Sequence, residues 1–241
     1  MMESLIVGMG EVGESLYTAL SPFYAIQTKD LEDKPVEECD VMHVCIRYSP
    51  DFLKTVWGYI AVAKPRLIDI CTTVPPGTTE VFDDNAVHST TRGLHPRLYD
   101  GLRTITKHIG GPRSDDVAAY YAVAGIPCVT HRLARTTEVA HLLNNISYGV
   151  NLAFADEMAR VCRHYGVDYQ EAVLRYTASH NDGFRRLDHE SKCRPLLTPP
   201  GGRIGGHCVV QAAQMLRDSM ADEGVEIGMS DMVAAYNGDD V

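Results

Sequence analysis

Near the end of this 241-residue chain a run of glycines leads into a cysteine: Pro199-Pro200-Gly201-Gly202-Arg203-Ile204-Gly205-Gly206-His207-Cys208. A thiolate attacks carbonyl carbon, and glycine-rich backbone approaches a ligand in conformations that other residues resist. Cys208 is therefore a candidate nucleophile; the competing reading is a small apolar residue that opens the next helix. A second pattern lies at the other end of the chain, where Gly8-Met9-Gly10-Glu11-Val12-Gly13 follows a short apolar run and precedes a helix-compatible stretch. In that context the first glycine permits a tight turn, the second lets a pyrophosphate approach the backbone, and the third lets helix and strand pack closely. The helix N-terminus adds partial positive charge.

This turn implies a dinucleotide. Asp30 closes the second strand, about 20 residues after the first glycine, where a carboxylate accepts the ribose hydroxyls of NAD. Its neighbour Lys29 would instead tolerate the 2'-phosphate of NADP. Ile46 and Arg47, at the end of a third apolar run, join the expected cofactor contacts. A local concentration of cations, Arg92, Arg97, Arg103 and Lys107, reads either as a pocket for a small anion or as a solvated loop surface.

The elements that must position these residues are legible as alternating apolar runs and helical spacers. Strands are expected at 4–8, 24–28, 40–46 and 66–70, with further candidates at 86–88, 105–109 and 128–130. That alternation predicts an α/β fold, a doubly wound parallel sheet of Rossmann type with helices on both faces, over residues 1–132. From residue 133 the pattern changes. A proline-free stretch from Thr137 to about Tyr165 reads as one long helix, and Gly166-Val167-Asp168 stops it and caps a helix over 169–179. Residues 180–207 read as loop and 209–223 as a closing helix, so 133–241 form a mostly helical domain.

Composition sets outer bounds. Hydrophobic residues make up 45% and charged residues 22%, and no apolar run approaches the roughly 20 residues that span a bilayer. The start of the chain has neither a basic region nor a small-residue cleavage pattern, so a cytoplasmic location without a membrane partner is expected. Seven cysteines without CxxC spacing argue against a disulfide framework and a structural metal site. A net charge of -10 argues against a nucleic-acid partner.

Several motifs then occur in one order. Asp69-Ile70-Cys71-Thr72-Thr73-Val74-Pro75-Pro76-Gly77-Thr78-Thr79 resembles the strand and STVPPGTT-type loop of the nucleotide-sugar dehydrogenases, which oxidise UDP-glucose, UDP-N-acetylmannosamine and GDP-mannose. His95-Pro96-Arg97-Leu98 with Gly101 and Ile109-Gly110-Gly111 is similar to that family's SPE…IGG region. Glu138-x-x-His141-x-x-x-Asn145 is similar to its E-x-x-K-x-x-x-N helix, Phe154-Ala155-Asp156-Glu157-Met158 to the continuation of that helix, and Gly202–Cys208 to its G-x-G-G-x-C loop. The resemblance covers nearly the whole chain. It implies an NAD-dependent oxidoreductase acting on a small molecule, a long helix at a homodimer interface, Thr73 near the nicotinamide, and Cys208 as the nucleophile that carries an aldehyde on to an acid. It also implies a third, C-terminal domain, for which the 33 residues after Cys208 are too few.

The departures bear on the chemistry. The family's helix lysine is His141 here, its Glu after Ser-Pro is Arg97, its Asp beyond the cysteine is Ala212, and the preceding Lys is Gln211. His141 or His207 can take over proton transfer, since histidine titrates near neutrality. Arg97 would suit an anionic substrate, with Gly205, Gly206 and His207 completing the substrate side. The expected catalytic set is Cys208, His141 and Asn145, serving oxidation of an alcohol or aldehyde. The alternatives are a cofactor-binding pseudoenzyme with a regulatory or assembly role and a two-electron dehydrogenase or reductase of the β-hydroxyacid type.

Overall fold

The computed structural model describes residues 2–31, 35–201, 204 and 207–236, His207 by its backbone alone. It comprises two compact units, Met1–His141 and Leu142–Val241. Among its described residues the first carries seven strands, β1 (Glu3–Val7), β2 (Ala25–Lys29), β3 (Val41–Val44), β4 (Leu67–Ile70), β5 (Ala86–His88), β6 (Lys107–Gly110) and β7 (Cys128–His131). Helices α1 (Glu11–Leu20), α2 (Phe52–Ala63), α3 (Leu98–Thr104) and α4 (Ser114–Val123) lie between them, and α5 (Ala134–Tyr165) follows β7. The sheet order is β2-β1-β3-β4-β5-β6-β7.

The period-two alternation of the strands builds two cores. On β1, Ile6 joins Leu16, Val117 and Tyr121 on one face, whereas Leu5 and Val7 join Phe52, Val56 and Phe82 on the other. Central strands β3 and β4 are buried along their whole length, as strands covered on both faces must be. The expected doubly wound sheet is present, with one difference from the all-parallel reading: β5 pairs with β6 antiparallel, through His88 and Gly110. A parallel pair needs a crossover that carries the chain back along the sheet. The 89–106 connection has only the seven-residue α3, which packs on α1.

Two polar residues sit in the middle of these buried strands, His43 on β3 and Asp69 on β4, both with no exposed surface. Asp69 Oδ2 lies 3.0 Å from His43 Nδ1 and accepts from Tyr121 Oη at 2.5 Å, while Ser89 Oγ donates to Oδ1. Lys107 Nζ, also buried, donates to the Ser89 carbonyl at 2.6 Å and stands 5.1 Å from the centre of the Tyr121 ring. Burial opposes both charges of the His43–Asp69 pair. Their mutual hydrogen bond overcomes it, lifting His43 to about 9 and, with help from Lys107 and Ser89, holding the Asp69 carboxyl well below the usual carboxylate range. His43, Asp69 and Cys71 bring three metal-capable atoms within 4.8 Å of one another, but their hydrogen bonds are already made to each other and to Tyr120 and Tyr121.

In the second unit α5 is followed by a π-helical segment, Gln170–Arg175, running into α6 (Tyr176–Arg186), then by α7 (His207–Asp222) and α8 (Gly228–Ala235). The 169–179 expectation stopped this helix too early. Residues 180–186 are polar but helical because buried Asn181 clasps the chain downstream, accepting from Arg194 N and donating to Arg194 O at 2.8 Å each. Gly149 lets α7 and α8 close on α5: a Cβ there would stand 2.6 Å from Val209 and 2.8 Å from Val233. No helix among the described residues is long and apolar enough to cross a membrane.

Removing the Asp69 carboxylate leaves His43 and Lys107 buried without their counter-charge. Asp69→Ala is expected to cost about 3–5 kcal/mol, the usual penalty for breaking a buried ion pair, read as a lowered urea midpoint at unchanged slope.

Candidate active site

The glycine turn has the geometry its spacing predicts. Gly8 follows β1 directly at φ +96°, and a Cβ there would lie 2.8 Å from the Cys45 carbonyl carbon, so the turn rests on backbone just after β3. A Cβ on Gly13 would stand 2.0 Å from Gly8 O, whereas one on Gly10 would meet nothing within 4 Å. The first and third glycines are thus needed for the fold of the turn. The second faces open space at the start of α1, where an anion would be received. Glu11, which would repel that anion, is turned aside: its carboxylate lies 2.5 Å from His95 Nδ1 and accepts from Leu98 N at 3.3 Å. These residues fit a dinucleotide pyrophosphate. Met9 and Val12 pack against the core beneath.

Asp30 is exposed immediately after β2, and Lys29 lines a groove of about 690 Å³ with Val36, Lys54, Thr55 and Tyr59. That volume falls in the range of small-molecule sites. Ile46 supplies its carbonyl to Thr72 Oγ1 at 2.7 Å, which fastens the end of β3 to the loop after β4, and Arg47 is exposed beside it.

A second group forms where α5 crosses the loops that follow β4 and β5. Glu138 accepts from Gly77 N at 2.5 Å and Thr79 N at 2.8 Å, so the Val74–Thr79 loop is fixed to the helix by a carboxyl that burial pushes up. Thr137 lies 2.8 Å from His88 Nδ1. One turn further on, His141 is held from both sides, with Nε2 at 3.0 Å from Thr73 Oγ1 and Nδ1 at 3.0 Å from Thr90 Oγ1. Burial, followed by the charges of Arg92 and Lys107, pushes His141 down to about 4. The imidazole is therefore neutral at pH 7, one ring nitrogen donating and the other accepting.

Thr90 and Glu138 are the residues that single-residue reasoning missed. Glu138 was visible only as part of a motif, and Thr90 carried no signal beyond following a strand. Arg97 donates to Asp100 Oδ2 at 2.7 Å and is exposed. In the second unit, Asn145 follows His141 by one turn of α5, Cys208 is exposed in the first turn of α7, and Ala212 is fully buried. Gly205, Gly206 and the side chain of His207 lie outside the described residues.

Residues 135–239 match the sequence profile of the UDP-glucose/GDP-mannose dehydrogenase family, central domain. A UDP-N-acetyl-D-mannosamine dehydrogenase of Methanocaldococcus jannaschii is 27% identical over 191 residues, 73% of this chain and 40% of that protein. One from Salmonella typhi is 28% identical over 157 residues, 63% of this chain and 33% of its own length. The chain carries this family's central domain over residues 135–239, a little under half of its length. It matches well under half the length of these curated relatives. Among solved structures, a UDP-D-ManNAc dehydrogenase from Pyrococcus horikoshii superposes with a TM-score of 0.79 at 19% identity, over 98% of this chain and 68% of that one. A 3-hydroxyisobutyrate dehydrogenase from Mycobacterium tuberculosis superposes at 0.73 and 13% identity, over 97% of this chain and 91% of that one. At these identities the two structures show the shared fold.

Gly10 and Gly13 separate binding from folding. Gly10→Ala is expected to keep the thermal midpoint and weaken NADH binding at least tenfold by fluorescence titration. Gly13→Ala, with its backbone clash, is expected to lower the midpoint itself.

Proposed function

We propose that this chain is an NAD-dependent oxidoreductase that oxidises an alcohol by two electrons, with His141 as the proton acceptor. The observation that carries this reading is His141 itself, neutral and fixed between two threonine hydroxyls on the loops that follow β4 and β5. When bound, the nicotinamide would take the hydride. The chain's own task is the proton: a substrate hydroxyl near Thr73 or Thr90 passes it through that threonine to the ring. Gly8, Gly10 and Gly13 would seat the pyrophosphate, and Asp30 the adenosine ribose. Lys29 and Lys54 border the groove beside Asp30, so NADP is the competing cofactor.

A second step to the acid is favoured by the exposure of Cys208. The aldehyde carbon would bond to Sγ while the thiol proton goes to its oxygen; transfer of a second hydride to a second oxidised nicotinamide cofactor, with release of the hydroxyl proton, would leave a thioester, which water cleaves to the acid and the free thiol. Ala212 offers no charge to that step. A homodimer is proposed from the apolar side chains that α5 exposes within the second unit, Leu143, Tyr148, Phe154, Val161 and Tyr165.

The reading is tested by screening alcohols and aldehydes with NAD and NADP for production of the reduced cofactor. His141→Ala is expected to lower kcat by about 10²–10⁴-fold, the usual contribution of a positioned base. Cys208→Ser should abolish acid formation and leave the alcohol-to-carbonyl step intact. Binding of the cofactor without turnover of any substrate would instead mark a pseudoenzyme.

The base must be unprotonated, and its pKa is depressed. kcat/KM is therefore expected to stay level from pH 8 down to about 5 and to fall only as the pH approaches 4. A fall centred at 6.5 would show that His141 is not the group that titrates.

A further inference from the structure

The basic concentration of the sequence comes apart in the fold. Arg97 is turned to Asp100, Arg103 Nη1 donates to the Ala124 carbonyl, and Lys107 Nζ is buried against the Ser89 carbonyl. Arg92 differs from all three. It lies two residues after Thr90, the residue that holds His141 Nδ1, and it is half-buried. Its Nη2 donates to the Thr106 carbonyl at 2.6 Å, its only bond among the described residues, which leaves four of the five guanidinium N–H groups without a protein acceptor and no carboxylate paired to the charge.

The backbone of Arg92 is equally fixed. A Cβ on Gly101 would stand 2.1 Å from Arg92 O and 2.7 Å from Gly93 Cα, so two glycines let this loop lie directly on α3. The adjacent Thr91 Oγ1 is buried without a hydrogen-bond partner. A guanidinium anchored at one nitrogen and at its backbone, with its fork unoccupied, is built to take an oxyanion.

We propose that Arg92 is the residue that recognises a carboxylate or phosphate group of the substrate and so sets its specificity. This rests on the reading of His141 as the proton acceptor, because Arg92 would place the substrate against that residue. The charge of Arg92 is felt at both His141 and His108, and Lys107 adds to it at His141. His88 also faces His141, and His131 faces His108. An anion on Arg92 would offset part of that field, which gives the site a signature independent of turnover.

Imidazole resonances of the full chain would be followed while inorganic phosphate, or separately acetate, is titrated in. Either anion is expected to move the His141 resonance and raise its pKa; the stronger of the two identifies the group recognised. Arg92→Gln should raise the His141 pKa in the absence of anion and weaken the anion response at least tenfold. Arg92→Lys, which keeps the charge but not the fork, should fall between, and Arg103→Gln should match the wild type. In turnover, Arg92→Gln should raise KM at least tenfold more for alcohols that bear the recognised anion than for uncharged alcohols of the same size.

The proposal is overturned by an anion response absent from the wild type, by one kept within twofold in Arg92→Gln, or by one lost in Arg97→Gln instead. If no alcohol is oxidised and yet the anion still moves His141 through Arg92, the oxidoreductase reading falls while the anion site stands.

Discussion

The first unit is organised around one buried carboxylate. Asp69 belongs to β4, yet through His43 it holds β3, through Tyr121 it holds α4, and through Ser89 it holds the segment that leaves β5. Lys107 closes the same group from β6. Ions taken out of water are tolerated only when each is matched and hydrogen-bonded, and all of these groups are. Five elements are thereby fixed relative to one another at a single point.

The site inherits this order. Ser89, held on its hydroxyl by Asp69 and on its carbonyl by Lys107, is followed directly by Thr90, and Thr90 holds His141. From the other side Glu138 binds the Val74–Thr79 loop to the same helix, which brings Thr73 to the opposite ring nitrogen. His141 is thus located by two loops whose own positions are set by buried charge. The environment that fixes the ring also keeps it neutral: burial and the nearby cations disfavour a protonated imidazole, which is the condition a proton acceptor requires near neutrality.

The family match over residues 135–239 and the fold agree, and the residues that distinguish this chain from that family bear on the proposed chemistry. A histidine stands on the helix where the family carries lysine, and fully buried Ala212 stands where the family has a carboxylate beyond the cysteine. A neutral imidazole between two hydroxyls would suffice as the proton acceptor of the proposed two-electron oxidation. The proposed thioester step would ask for more, and among the described residues it has the exposed sulfur of Cys208.

Periodicity and glycine spacing in the sequence determined the doubly wound sheet, the glycine turn after β1 and the long helix, because those depend on local backbone preference and on which faces are apolar. They misread β6 as one more parallel strand and 180–186 as loop, and gave no sign of α8. The first depends on which end of the sheet the chain re-enters, and the second on a clasp from Asn181 to Arg194. His141 was legible as a substitution in a motif. Its neutrality, its bond to Thr90 and the separation of Arg92 from Arg97 were not. Those were decided by tertiary structure, since hydrogen-bond partners and electric fields come from residues distant in the chain, and no spacing rule reports which of several neighbouring cations keeps its charge unpaired.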